Sequence, residues 1–168
     1  KKGKQFEIKN VNFVIPCAHR NLKVIFDSCL AKHNDENLPI TVLQGQAKEV
    51  LQAADIALIT SGTATLEALM AKCLIVAAYK MPRISYLLAK MLVKTPYIAL
   101  PNILAGKELV PELIQRQANV DNILIKVIDQ IDLISNGEDD DIIKQYLNIH
   151  KKLLVNPDVF LQVIAKFL

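Results

Sequence analysis

The sequence predicts an α/β fold in which a parallel sheet carries helices on both faces and is followed by a helical C-terminal tail. Three observations predict it. Short, continuously apolar runs alternate with amphipathic stretches as far as Leu100. The runs lack the in-out alternation of a sheet with one wet face. Beyond Pro101 the alternation stops and only helical periodicity remains.

Val11–Ile15 reads as the first strand and Leu22–Lys32 as an amphipathic helix. Ile40–Leu43 is the next strand, Ala47–Ala54 a helix, and Ile56–Ile59 a strand without a polar residue. Ala64–Ala71 then reads as helix, Leu74–Ala78 as strand, Ile84–Val93 as helix, and Tyr97–Leu100 as a last short strand. Buried strands joined by helices imply parallel pairing with right-handed crossovers. That places all strand C-terminal ends on one edge, where ligands bind. After Pro101, residues 107–116, 120–134, 142–154 and 157–167 are expected to be helical with no further strand. Gly137 suits a helix C-terminal cap, and Asn156 before Pro157 suits a helix start. Asp139, Asp140 and Asp141 precede the third of these helices and Lys151 and Lys152 finish it, as its dipole favours. The expected division is a sheet domain over residues 1–116 and a helical extension over 117–168.

A chain of 168 residues suffices for one well-buried core. Its 52% hydrophobic content and mean hydropathy of +0.26 stand at the apolar end of soluble proteins. No apolar stretch reaches the roughly 18 residues of a membrane span, and none near the N-terminus resembles a signal peptide. A soluble or peripheral protein is expected. The net charge of +3, with dispersed Lys and Arg and only five Phe and four Tyr, argues against a nucleic-acid surface. Cys17, Cys29 and Cys73 form no CxxC pair, and with His19, His33 and His150 they lack zinc-site spacing. The cysteines read as buried thiols in a reducing compartment. Cys17 and His19 stand close together after a strand but lack a third partner for nucleophilic catalysis. The chain opens Lys1-Lys2-Gly3 rather than with Met, and a strand follows almost at once, which predicts part of a longer polypeptide.

Ser61-Gly62-Thr63-Ala64-Thr65-Leu66-Glu67 joins the Ile56–Ile59 strand to a helix. Such a turn offers unpaired backbone N–H groups, at the positive end of a dipole, to a phosphate. A carboxylate one turn into the helix can accept hydrogen bonds from neighbouring ribose hydroxyls. Ordinary helix capping accounts for Ser, Gly and Thr equally well. Glu67, however, lies four residues after Thr63 and six after Ser61, so it falls outside capping-box spacing and is free for another partner. Leu100–Leu109 is a second candidate, presenting Asn102, Lys107 and Glu108 near the ligand edge; it also reads as a plain connection punctuated by Pro and Gly. On the 84–93 helix and its flanks, Arg83, Lys90 and Lys94 fall within about 40° of one another. This basic stripe on an apolar helix suits either anionic lipid headgroups or a buried helix whose lysines reach solvent along their stems.

Ser-Gly-Thr-Ala-Thr-Leu-Glu at 61–67, Ala-Lys-Cys at 71–73 and Leu-Pro-Asn-Ile-Leu-Ala-Gly-Lys-Glu-Leu-Val-Pro-Glu-Leu-Ile-Gln at 100–115 together resemble the C-terminal half of the bacterial lipid-A-disaccharide synthase family. Leu88-Ala89-Lys90 and Leu92-Val93-Lys94-Thr95 also fit its pattern. The resemblance runs from about Val42 to Gln115, and the block at 100–115 is its specific part.

The resemblance implies a metal-independent, inverting glycosyltransferase of the GT-B type, with this chain supplying the second of two Rossmann-like domains. Family members transfer 2,3-diacylglucosamine from UDP-2,3-diacylglucosamine to 2,3-diacylglucosamine 1-phosphate, giving lipid A disaccharide 1-phosphate and UDP. No cofactor is implied beyond the UDP-sugar donor itself. Carried onto this sequence, the backbone of Gly62, Thr63 and Ala64 holds the diphosphate with help from the Ser61 and Thr63 hydroxyls. Glu67 takes the ribose, Leu43-Gln44-Gly45 borders the uracil, and Glu108 belongs to the donor side. Asn102 matches an asparagine that the family needs for activity, with donor positioning near the phosphate as its expected role. The implied location is the cytoplasmic surface of the inner membrane of a Gram-negative bacterium. The tail over 117–168 packs on the sheet or exchanges with a second subunit of a homodimer.

The acceptor domain, the general base and a Gly- and Arg-containing loop are expected before Lys1, so the chain alone is expected to lack transferase activity. Two alternatives compete: a transferase or epimerase acting on UDP-N-acetylglucosamine, and a stand-alone nucleotide-binding subunit. The block at 100–115 argues against the first, and the absent Met and short N-terminal sheet argue against the second.

Overall fold

The computed structural model describes residues 11–33, 38–60, 62–82, 95–155 and 158. Ser61, the 84–93 helix with its basic stripe Arg83, Lys90 and Lys94, the Asn156-Pro157 helix start, and the expected 157–167 helix apart from Asp158 lie outside the described residues. The chain separates into two compact units, Lys1–Val50 and Leu51–Leu168.

In the first unit, β1 (Phe13–Cys17) pairs in parallel with β2 (Ile40–Gln44), joined by α1 (Arg20–His33). Proline removes a ladder donor, so Pro16 within β1 suits a strand that, among the described residues, is paired on one side only. The α1 helix packs on both strands yet buries none of its residues completely. Cys29 on it is exposed, against the expectation of a buried thiol, because α1 as a whole is little covered and leaves Leu22, Val24, Ile25 and Phe26 exposed too; Cys17 and Cys73 are buried as expected. After β2, α2 (Ala47–Ala53) leads out of the unit.

The second unit is built on a parallel sheet in the order β3 (Ile56–Ile59), β4 (Leu74–Tyr79), β5 (Glu112–Ile114). Leu74, Ile75, Val76 and Ala77 are all buried, as a central strand covered on both faces requires. On one face lie α3 (Ala64–Ala71) and α4 (Leu100–Ala105), and α5 (Val120–Asn136) packs on β3 and β4. The next helix, α6 (Asp140–Val155), packs on α3 and α4. Its Tyr146 and Ile149 join Ala68, Leu69, Ile75, Ala77, Ala99 and Val110 in the core. The helical tail is therefore continuous with the sheet's own core.

Caps end these helices where local chemistry dictates. Asn119 caps α5 by accepting from Asn122 N–H at 3.0 Å, and Gly137 ends it in the left-handed conformation expected of it. Asp140 and Asp141 begin α6 and Lys152 lies in its last turn, matching the dipole.

Two expected elements are corrected. Tyr97–Leu100 is not a strand, because the N–H groups of Ile98 and Ala99 are taken by the Glu112 carboxylate rather than by a neighbouring strand. Residues 107–116 are not a helix, and the chain does contain a strand beyond Pro101. Pro111 cannot continue a helix, and its carbonyl instead accepts from Ala77 N–H at 2.9 Å, starting β5.

Burial pushes the Cys73 thiol up to about 12, with the Asp55 charge adding to it, and burial with Cys73 nearby also raises the Tyr146 phenol. Both groups are held neutral. The Tyr146 hydroxyl is buried and, among the described residues, makes no well-formed hydrogen bond; the Ile75 backbone near it only tempers the rise of the phenol, so the ring carries most of the contribution of this side chain. Tyr146→Ala is expected to cost about 3–5 kcal/mol of unfolding free energy, whereas Tyr146→Phe costs under about 1 kcal/mol or stabilises slightly. Urea denaturation of the two variants measures the difference.

Candidate functional site

The chain leaves β3 at Ile59 and enters α3 at Ala64. Gly62 takes φ +149°, where residues with a side chain are strained, and nothing lies within 4 Å of the position a Cβ would occupy. Backbone conformation rather than crowding requires this glycine. The Gly62 carbonyl is fixed from both sides of one residue, accepting from Thr65 N–H at 3.1 Å and from the fully buried Thr65 hydroxyl at 2.6 Å. The Thr63 carbonyl accepts from Leu66 and Glu67 N–H at 2.9 and 3.2 Å.

With those bonds made, the N–H groups of Gly62, Thr63 and Ala64 meet no acceptor among the described residues. They stand at the positive end of α3, where an anion is favoured. Thr63 occupies the cap position without using its hydroxyl for capping, and both Gly62 and Thr63 are exposed. Glu67, one turn along, is exposed, with no side-chain hydrogen bond or ion pair among the described residues. An open set of N–H donors beside a free carboxylate can bind a phosphate and a vicinal diol together.

The other sequence candidates fall in two places. Leu43, Gln44 and Gly45 finish β2 in the first unit; Gly45 N–H donates to Cys17 carbonyl at 2.7 Å, and Gly45 and Gln46 both take positive φ, 71° and 59°. Asn102 and Glu108 belong to the second unit. Lys107 and Glu108 are exposed on the connection from α4 to β5. Asn102 is fully buried in α4: its Oδ1 accepts from Leu109 and Val110 N–H at 2.7 and 2.8 Å, and its Nδ2 donates to Val110 carbonyl and Glu112 Oε1, both at 2.9 Å.

Glu112 has no counterpart among the sequence candidates. Its carboxylate also accepts from Ala99 N–H at 2.6 Å and from Ile98 N–H at 3.0 Å. It stands ten positions after Asn102 with Pro111 in between, so no helical or strand spacing pairs the two. Gln115 was missed for the same reason; its Oε1 accepts from Met81 N–H at 3.0 Å across the end of the sheet, and its backbone holds φ 55°.

If conformation is what Gly62 supplies, Gly62→Ala lowers unfolding free energy by about 1–3 kcal/mol despite the open space around it. Chemical denaturation reads this, and an unchanged midpoint removes the assignment.

The family model of lipid-A-disaccharide synthetase matches residues 4–157. Lipid-A-disaccharide synthase 2 of Legionella pneumophila (strain Paris) is 41% identical over 150 residues, which is 89% of this chain and 38% of that protein. The lipid-A-disaccharide synthase of Pseudomonas putida (strain GB-1) is 46% identical over 112 residues, 67% of this chain and 29% of that protein. That of Azotobacter vinelandii (strain DJ / ATCC BAA-1303) is 46% identical over 108 residues, covering 64% and 28%. The chain thus spans less than half the length of these curated relatives. Because the match runs through both compact units and takes in the Gly62 turn, Glu67 and the interlocked segment from Ile98 to Glu112, the chain belongs to the lipid-A-disaccharide synthetase family.

Proposed function

We propose that this chain is the donor-binding part of a lipid-A-disaccharide synthase. The intact enzyme transfers 2,3-diacylglucosamine from UDP to 2,3-diacylglucosamine 1-phosphate without a metal and with inversion at the anomeric carbon. The observation that carries this reading is the turn at Gly62–Ala64, whose N–H groups and neighbouring Glu67 carboxylate have no partner among the described residues, in a chain of this family.

In this mechanism the diphosphate of the donor lies on the N–H groups of Gly62, Thr63 and Ala64, and the ribose hydroxyls donate to Glu67. Glu108 belongs to the donor side. The acceptor's 6-hydroxyl attacks the anomeric carbon, and the bond from that carbon to the β-phosphate oxygen breaks as the new glycosidic bond forms. The electron pair leaves with UDP, and the hydroxyl proton goes to a base contributed by another part of the enzyme. Negative charge grows on the leaving diphosphate, where fixed N–H donors and the α3 dipole favour it more than they favour the intact donor. Among the described residues no helix is long and apolar enough to cross a membrane. The acylated substrates bring the enzyme to the cytoplasmic face of the inner membrane, where a second copy of the enzyme is a further partner.

Calorimetric titration of the chain with UDP is expected to show saturable binding. Glu67→Ala should weaken that binding by about tenfold or more, since hydrogen bonds to a charged carboxylate contribute about 1.5–3 kcal/mol each. Equal affinity of variant and wild type removes the ribose assignment. With UDP-2,3-diacylglucosamine and the monosaccharide acceptor, the full-length enzyme is expected to release UDP and the chain alone to release none; turnover by the chain would show that it holds the base as well.

A further inference from the structure

Glu112 opens β5, and three donors converge on its carboxylate. Oε1 accepts from Ala99 N–H at 2.6 Å, Asn102 Nδ2 at 2.9 Å and Ile98 N–H at 3.2 Å, while Oε2 accepts from Ile98 N–H at 3.0 Å. This closes the start of α4 with a built-in anion. Asn102 has two amide hydrogens and two lone pairs, and all four are spent on Leu109, Val110 and Glu112. Nothing on that side chain is left for a ligand.

The sheet register puts this clamp beside the donor seat. Ile59 pairs with Ala77 and Ala77 pairs with Glu112, so all three stand in one row across the sheet. Glu112 is therefore two strand spacings, roughly 10 Å, from the residue at which the chain leaves β3 for the Gly62 turn. The helix that Glu112 closes also packs directly on α3, whose start is that turn.

The geometry points to Glu112 as a positioning residue for the donor site: with Asn102 it clamps the first turn of α4 against α3 and level with the phosphate seat. On this account Asn102 acts through the clamp and does not touch the nucleotide. The inference rests on the nucleotide reading of the Gly62–Glu67 turn.

Asn102→Asp keeps the side chain's shape and its two accepted bonds but turns a carboxylate oxygen toward Glu112 and the Val110 carbonyl. Adding Glu112→Gln supplies a donor to that oxygen. UDP titrations of the 168-residue chain are run in the cold, with circular dichroism showing that each variant is folded at that temperature. Asn102→Asp is expected to bind UDP about tenfold more weakly than wild type, and the double variant to recover about threefold or more.

Folded Asn102→Asp with wild-type affinity would mean that the clamp only stabilises the fold, and a double variant no tighter than Asn102→Asp would mean that Asn102 meets the nucleotide directly. Either result overturns the inference while leaving the nucleotide reading standing. Failure of the wild type to bind UDP removes both. Should Asn102→Asp not fold, Glu112→Gln alone decides, with a loss of about threefold expected because one accepting oxygen is gone, and unchanged affinity overturning the proposal.

Discussion

The stretch from Tyr97 to Pro111 passes through the core of the second unit with only six residues of helix, and one side-chain pair makes that passage tolerable: the Asn102 amide and the Glu112 carboxylate. Buried backbone groups left unpaired cost about 1–3 kcal/mol each. Here the N–H groups of Ile98, Ala99, Leu109 and Val110 and the carbonyl of Val110 are all satisfied by those two side chains. The packing of Ala99, Pro101 and Val110 in the core, the entry angle of β5 and the seating of α4 on α3 all follow from this arrangement.

The same physics appears in the opposite state two strands away. At α4 the protein's own carboxylate occupies the donors before the helix, whereas at α3 the N–H groups of Gly62, Thr63 and Ala64 meet no acceptor among the described residues. Thr65 holds the Gly62 carbonyl with both its N–H and its buried hydroxyl, which ties the turn to the start of α3. One helix start is closed by the protein's own carboxylate, and the other is the one we propose as the phosphate seat. Unpaired N–H groups cost little where water reaches them, and on that proposal a phosphate would take the place of the water.

Much of the second unit was legible from periodicity because its strands are apolar on both faces and its helices are capped by residues with strong local preferences. Ile56–Ile59, Ala64–Ala71 and Leu74–Tyr79 lie within a residue of where the pattern put them, and Gly137 ends α5 as its conformational freedom suggests. The failures cluster in one stretch. Tyr97–Leu100 has the composition of a strand and 107–116 the spacing of a helix, but Glu112 claimed the amides of the first and Pro111 redirected the second into the sheet. Cys29 is a smaller failure of the same kind, since a thiol's burial depends on what lies across from its helix face.

Within the candidate site, the sequence determined what local chemistry can determine: a strand that runs straight into a helix, a glycine where φ +149° is needed, and a glutamate outside capping-box register. These depend on residues within one turn of each other, and so they survive in a one-dimensional reading. Tertiary structure alone decided that Asn102 is buried with its whole amide engaged, that Glu112 is its partner, that Gln115 reaches Met81 N–H across the end of the sheet, and that Tyr146 joins the tail to the core. Each of those contacts joins segments brought together by parallel strand register or helix packing. No sequence periodicity encodes which distant backbone amide a side chain will reach.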